Sequence, residues 1–399
     1  MTVVSGAYPV FDPGGRAVQK TVNSVKVMMG ENMHDTAIIT LRDENMDRPE
    51  LQPGTPVKMN YGWMTVDTDW FYGYIDHIET HYDRSLPQGA QYEDVVCLGT
   101  SYTMKDPWVG SWTNVRCSSI VQQIAQTYYL ATLLETDDYV WPQLASPGVS
   151  AWQYLVMLAK KLGYSLAVNK SLLRFVSIDT AMKANWASMP VFRSRNTAPT
   201  YLTQTIGTFQ ALQGETAPIP GHTKAVRTIA GLDLKSGNVI GAIDDTSSLQ
   251  GNLLGTGAVY PFFGEQVSDQ VVNSQGTAQA TLAGMTQCNR WVYQATANLS
   301  GLTTVRQGTP LILNGIDSNN DGIWWVQEVT HKFSTPGYTM DVCLGRDSLG
   351  DNGTRPIQGT AVAYTPNNPF VYIANNNPPT VLLRNRWRAQ NQMNVYVTG

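Results

Sequence analysis

The strongest constraint on how this chain can fold is that it spells one pattern twice. Residues 52–100 read QPGTPVKMNYGWMTVDTDWFYGYIDHIETHYDRSLPQGAQYEDVVCLGT, and residues 306–346 read RQGTPLILNGIDSNNDGIWWVQEVTHKFSTPGYTMDVCLGR. Gly54-Thr55-Pro56 answers Gly308-Thr309-Pro310, and alternating Val57/Met59 or Leu311/Leu313 follow. Trp70, Tyr74 and His77 align with Trp324, Val326–Glu328 and His331, and Asp94–Gly99 closes the first copy as Asp341–Gly345 closes the second. An internal repeat sets the architecture before any local reading does. Pro is tolerated at a strand's first residue because it has no N–H to give the ladder. Period-two apolar positions then bury one face. Asn60-Tyr61-Gly62 and Asn314-Gly315 turn the chain back into an aromatic return strand. Each copy is thus a short antiparallel sheet that, with the strands before it, suffices for a small closed barrel. The expectation is a mainly β chain with two tandem small β-barrels.

A chain of 399 residues holds two or three domains. Charged residues make up only 15% of it, and 11 Trp are present, a balance expected where much surface is covered by partners. The formal charge of −4 argues against nucleic-acid binding as the main activity. Cys97, Cys117, Cys288 and Cys343 form no CxxC or zinc-knuckle spacing. Cys97 and Cys343 fall at matching places in the repeat, which favours small buried residues over ligands. The N-terminus MTVVSGAYPV lacks the basic-then-apolar order of a signal peptide, and no apolar run reaches membrane-spanning length, so no membrane anchor is expected.

In chain order, residues 1–105 hold an N-terminal arm (1–16) and the first barrel. Ser24–Met29 and Thr36–Arg42 read as two of its strands, and 83–91 as a polar loop. Residues 106–200 change period and form an α+β insert. Ser118 or Ser119 is placed to cap a helix over about 118–130. A second helix, Ala151–Leu162, follows, with Trp152, Leu155, Ala159 and Leu162 on its core face. Gly163 ends it, and the hairpin Tyr164–Val168/Leu172–Val176 completes the unit. Residues 201–350 are the second barrel, expected to open with a hairpin of Lys224–Asp233 and Val239–Asp244 and to carry an inserted helix over about 275–290 capped by Ser274. Residues 351–399 are Asn/Pro-rich and read as an extended attachment segment, with Val381-Leu382-Leu383 and Trp387 available for docking and no acidic residue after Asp351.

Chemistry-bearing candidates are few. His77, Glu79 and His81 share one strand face and could make a metal trio, but an HExxH protease needs a helix there, and an ordinary strand face accounts for the spacing. No Gly-x-Ser-x-Gly elbow is present, and Asp244-Asp245 sits without a sugar-binding frame. Asp317, Asn319 and Asp321, with Gly322 and Glu328, fit the calcium-loop formula of an EF-hand. The flanks read as strands rather than helices, so a turn-rich hairpin loop is the competing reading. No cofactor is expected.

The order of parts resembles the hub proteins of phage tails and related injection machines: the late control protein D family, the baseplate hub of contractile tails and the VgrG spikes of type VI secretion. The first carrying stretch is Ser150–Tyr164, with Trp152, Leu155 and Gly163, and the return strand Leu173-Arg174-Phe175. The second is Gly308, Pro310, Trp324 and His331 with Gly337-Tyr338 before Asp341–Leu344. The resemblance spans roughly 20–350 in pattern. It implies a homotrimeric hub joining a six-fold tail tube to a three-fold tip around a DNA channel. Implied partners are the distal tail or tail tube protein, tip, spike or receptor-binding proteins, and the tape measure protein, with DNA only as transiting cargo. Residues after the second barrel do not read as OB-like or as β-helical needle repeats, so a hub separate from its spike fits better than a complete VgrG. A non-viral contractile injection system is the nearest alternative, and a cell-wall hydrolase with β-rich modules is one of another class. The repeat predicts that the region around Met28–Gly99 superposes on that around Lys224–Gly345, excluding the inserted helix, with three chains around an axial channel. One continuous sheet running through both segments would refute it.

Overall fold

In a computed structural model of the chain, the described residues are 10–13, 22–42, 51–63, 67–83, 90–185, 189–194, 204–213, 227–233, 236–244, 254, 257–258, 265–267, 272–334 and 337–350. The proposed attachment segment 351–399, most of the arm and the tip of the 83–91 loop lie outside them. The first repeat comprises β1 (Val10–Pro13), β2 (Val22–Gly30), β3 (Thr36–Arg42), β4 (Pro56–Trp63), β5 (Asp67–Asp83) and β6 (Ala90–Gly99). They pair antiparallel in the order β1-β4-β5-β6-β3-β2, so part of the arm is itself a strand. Val25, Val27, Ala37, Ile39, Val57, Met59, Ile75, Val95 and Cys97 line one buried face.

A 3-10 turn, Thr100–Lys105, leads into the insert: β7 (Ser111–Arg116), α1 (Cys117–Thr127), β8 (Ala131–Leu134), β9 (Val140–Ala145), α2 (Ala151–Leu162), β10 (Tyr164–Asn169), β11 (Leu172–Ser177) and α3 (Ile178–Asn185). Helix α2 starts with a reciprocal capping box. Gln153 N–H donates to Ser150 Oγ, and Ser150 N–H donates to Gln153 Oε1, each at 3.2 Å. It stops at Gly163, whose φ of +67° is left-handed and whose missing Cβ lets the chain pass against α4, introduced below. The start of α1 differs from expectation. Its N-cap is Arg116 without a side-chain cap, and Ser118 lies inside the first turn. Asp138, from the segment before β9, accepts from both Ser118 N–H and Ser118 Oγ–H, so a distant carboxylate serves the helix N-terminus.

The remainder comprises β12 (Val191–Arg193), β13 (Ile206–Gln213), β14 (Arg227–Leu232), β15 (Val239–Asp244), β16 (Gly257–Ala258), β17 (Glu265–Val267), α4 (Gln275–Cys288), β18 (Tyr293–Ser300), β19 (Pro310–Asn314), β20 (Gly322–Ser334), β21 (Gly337–Arg346) and β22 (Ser348–Leu349). The second repeat opens with β13, not with the hairpin at Lys224. β14, β15 and β17 form a sheet of their own, packed on α4 through Ile229, Ile240, Ala242, Ala278 and Leu282. They are an insertion between β13 and its mate β18.

The two repeats are not separate sheets. β2 pairs antiparallel with the second half of β20, joining both copies into one 12-stranded sheet, and the described strands close neither copy into a barrel. The physical reason lies in the length of β20. Its first residues, Gly322–Trp325, pair with β19, and the edge left beyond them, Glu328–Phe333, takes β2. The fold class is therefore mainly β with helical insertions.

Strand pairing gives the correct alignment of the copies. Pro56 faces Tyr74 and Pro310 faces Trp325. Beyond them, β5 carries a bulge between Ile75 and His77, and β20 one between Val326 and Glu328. β2 has a bulge between Val22 and Ser24, matched in β13 between Ile206 and Thr208. Tyr74 thus corresponds to Trp325, His77 to Glu328, Thr80 to His331 and Tyr82 to Phe333. Trp70 and Trp324 are not equivalent, nor are His77 and His331. Cys97 corresponds to Leu344 and is buried, whereas Cys343 points to the other face and is exposed.

Candidate functional site

The signature residues gather where the insert meets both repeats. Trp152, 5% exposed, stacks on His34 from the β2–β3 turn with ring centroids 4.7 Å apart, and His34 Nδ1 lies 2.7 Å from Ser101 Oγ. Burial first, then Lys105, pushes the His34 imidazole down to about 4. Leu155 is in the insert core. Gly308 has φ +67°, and a Cβ there would strike the Arg174 guanidinium. Pro310 opens β19. Trp324 is buried, donates from Nε1 to Asn320 O at 2.9 Å and meets Phe209 edge-on. His331 is buried against Tyr338, with Nδ1 2.7 Å from the Tyr338 hydroxyl. Burial, then Arg306, depresses it to about 3.

Between these residues runs a buried charged junction that the sequence reading did not single out. Arg174 on β11 donates to Gly308 O and Gln307 O at 2.9 Å and to Ser165 Oγ at 3.0 Å. Ser165 in turn donates to Glu31 Oε1 at 2.6 Å. Gln307 Nε2 donates to Asp35 Oδ1 at 2.9 Å. Lys170, at the β10–β11 turn, sits 2.7 Å from Asp69 Oδ1, and Arg306 pairs with the other oxygen of that carboxylate. Tyr61 OH also donates to Asp69. Burial raises the Asp35 carboxyl to about 7 against the pull of Arg306 and Gln307, and it raises Glu31 as well. Burial lowers the Lys170 amine to about 8. These groups are spent on one another and on backbone carbonyls, which suits a lock between three parts of the chain rather than a reaction centre. One signal was available: Arg174 stands within the apolar run Leu172-Leu173-Arg174-Phe175-Val176, where an unpaired arginine would be prohibitive. A second lock ties Arg290 to Asp179 at 3.0 Å and to Asp347 at 2.7 Å.

The calcium-loop candidate folds as a hairpin connection. Asp317 Oδ1 accepts from Asn319 N–H and Asn320 N–H at 2.9 Å, and Asp317 Oδ2 accepts from Asn320 Nδ2 at 2.7 Å. Asp321 accepts from Gly315 N–H and Ile316 N–H at 3.0 and 2.8 Å. Both carboxylates thus organise their own loop, while Glu328 lies in β20 opposite Gly30. On β5, Glu79, His81 and the cross-strand Asp94 form the metal-sized cluster among the described residues, with His81 Nε2 3.4 Å from Asp94 and 3.6 Å from Glu79. The repeat explains it. His81 matches Lys332, Asp94 matches Asp341 and Thr40 matches Asn298. Lys332 pairs with Asp341, Asn298 donates to Asp341 at 2.7 Å, and Thr40 donates to Asp94 at 2.6 Å. The cluster is one rung of outward-facing polar pairs made twice. No helix among the described residues is long and apolar enough to cross a membrane.

No protein family and no curated protein matches the sequence. Solved structures do. The chain is similar to the 43 kDa tail protein of prophage MuSo2 from Shewanella oneidensis, at 12% identity over 86% of this chain and 99% of that one, with a TM-score of 0.60. It is similar to the tail protein from Neisseria meningitidis MC58, at 12% identity over 90% and 100%, with a TM-score of 0.57. A third is the E. coli c3393 protein, described as a component of the type VI secretion system with structural similarity to the T4 tail proteins gp27 and gp5. It is 9% identical over 89% and 80%, with a TM-score of 0.52. The fold is therefore that of phage tail proteins and of this secretion component, as the resemblance read from the sequence implied.

Proposed function

We propose that this chain is the structural hub of a phage tail tip or baseplate. It acts by assembly, without a cofactor, as a trimeric adaptor joining the six-fold tail tube to the three-fold tip around the DNA channel. The observation that carries this reading is the duplication itself: two strand units of one order with the same bulges, which supports it even though the units share one sheet instead of forming two separate barrels. Three such chains offer six like units, and head-to-tail contacts whose rotation closes give a ring. The tail tube or distal tail protein would sit on one side, tip or spike proteins on the other, with the tape measure protein and then DNA passing through. A lumen without a continuous basic stripe would let DNA slide, since phosphate contacts would hold it. Imaging of assembled particles tests this: three copies around the tail axis are expected, and copies off the axis or at another symmetry refute it. The likeness to the type VI component supports a second reading, the hub of a non-viral contractile injection system. Co-purification with capsid and portal proteins decides between the two.

A further inference from the structure

The outward-facing rung on β5 and β6 is shared by both repeats in frame but not in chemistry. In the second repeat Asp341 stands opposite Thr330, and the Lys332 ammonium gives it a cation. In the first, Asp94 stands opposite Glu79, the counterpart of Thr330, and His81 replaces Lys332. The first repeat has thus gained a carboxylate and lost an ammonium at one place. Like charges directly opposite each other destabilise a sheet, so a positive charge between them would relieve this rung.

The atoms are set out as ligands are. Thr40 Oγ1 donates to Asp94 Oδ1 at 2.6 Å, and His77 Nε2 holds Glu79 Oε1 at 3.3 Å. Each carboxylate spends one oxygen on a protein donor and turns the other toward His81, whose Nε2 lies 3.4 Å from Asp94 Oδ2 and 3.6 Å from Glu79 Oε2. The ligand atoms of the three residues all lie within 4.8 Å of one another. That nitrogen is shielded from solvent and makes no hydrogen bond among the described residues. An imidazolium between two carboxylates would donate at about 2.7–3.2 Å. Ligand atoms about 2.0–2.2 Å from one tetrahedral zinc ion stand roughly 3.3–3.6 Å apart, and the two distances from His81 fall in that range. Stacking on its cross-strand neighbour Tyr92, with centroids 5.3 Å apart, fixes the His81 ring.

We propose that His81 Nε2, Glu79 Oε2 and Asp94 Oδ2 bind one divalent cation of the zinc class, with water completing a four-coordinate shell. The imidazole nitrogen favours zinc and its transition-metal neighbours over magnesium and calcium. Thr40 and His77 stand behind the carboxylates as outer partners that fix their orientation. The ion is structural. β5 runs on past its last β4 pair at Tyr74, and the ion ties that stretch to β6. The site does not rest on the hub reading.

The test uses the full chain with Cys288→Ser and Cys343→Ser, which remove the exposed thiols as competing zinc ligands. Chelator-stripped protein is titrated with zinc chloride by isothermal titration calorimetry, and one equivalent per chain is expected. Melting temperature should rise by about 5 °C at free zinc a hundredfold above the dissociation constant. Calcium or magnesium at the same concentration should give no shift. His81→Lys copies the rung of the second repeat; it should abolish zinc binding while the metal-free protein melts no lower than the parent. Asp94→Asn, which keeps the side chain's shape, should weaken zinc binding by more than about tenfold, and it decides should His81→Lys fail to fold. No stoichiometric zinc binding, an equal response to calcium, or zinc binding unchanged in Asp94→Asn overturns the site.

Discussion

Replacing Arg174 by Met isolates the charged junction, because Met keeps most of the volume and removes all the donors. The loss strands two buried carbonyls, Gln307 O and Gly308 O, and takes from Glu31 the cation linked to it through Ser165. A buried acceptor left unpaired costs about 1–3 kcal/mol. Removing one member of a buried charged set costs about 3–5 kcal/mol. The two estimates overlap rather than add, since they count the same groups, so a loss of about 3–5 kcal/mol is expected. At roughly 2 °C per kcal/mol for a body of this size, melting should fall by about 6–10 °C. Tryptophan fluorescence reads it directly, because the buried Trp325 bonds Glu31 of the junction. Arg174→Lys should fall between, keeping the charge but not the fork that reaches two carbonyls. Adding Glu31→Gln to Arg174→Met should recover part of the loss. A Met variant melting within about 1 °C of the parent would show that the junction does not hold the parts together.

Trp152→Ala should destabilise by about 3–5 kcal/mol in urea unfolding, the range for a large buried aromatic, and should free His34 to titrate nearer its ordinary value by NMR; a neutral substitution refutes its packing role. Asp35 is raised from 3.8 to about 7, so between those values the folded state holds a proton that the unfolded state has released. Its contribution to stability therefore falls as pH rises across that window, and Asp35→Asn should gain on the parent from pH 4 to pH 7; a pH-independent gap in melting temperature would refute this. Asp317→Ala removes a carboxylate bonded to two backbone N–H groups and should cost about 1–2 kcal/mol with or without chelator. A chelator-dependent melting shift in the parent, lost in the variant, would restore the calcium reading.

What could be read from the sequence was what depends on neighbours in the chain. Ser150 with Gln153, the apolar spacing of Trp152, Leu155 and Ala159, and the stop at Gly163 all lie within one helix, Ala151–Leu162. β13 was not legible. Its sequence, IGTFQALQ, alternates weakly, and its mate β18 lies beyond a whole inserted sheet and helix. The hairpin at Arg227–Leu232 and Val239–Asp244 alternates better and so reads, in place of β13, as the opening of the second unit. Aligning the copies by residue type matched Trp70 to Trp324, whereas hydrogen bonding sets the register at the bulges. The low charge content was read as covered surface. Part of its meaning is internal, since Lys170, Arg174, Arg290, Arg306, Arg346, Asp35, Asp69 and Asp347 are buried.

The junction also sets the order in which the chain can finish folding. Arg174 and its acceptor Gly308 are 134 residues apart. At a synthesis rate of about 5–20 residues per second, the insert waits roughly 7–27 s on the ribosome with its arginine unmatched. β2 waits longer, for Phe333 follows Val25 only after the whole insert and most of the second repeat have been made. Throughout that interval its edge is open to any strand of the right pattern, including one from a chain on the next ribosome. Synthesis rate and local crowding on a polysome, rather than stability, then decide whether the first joint closes within one chain or between two.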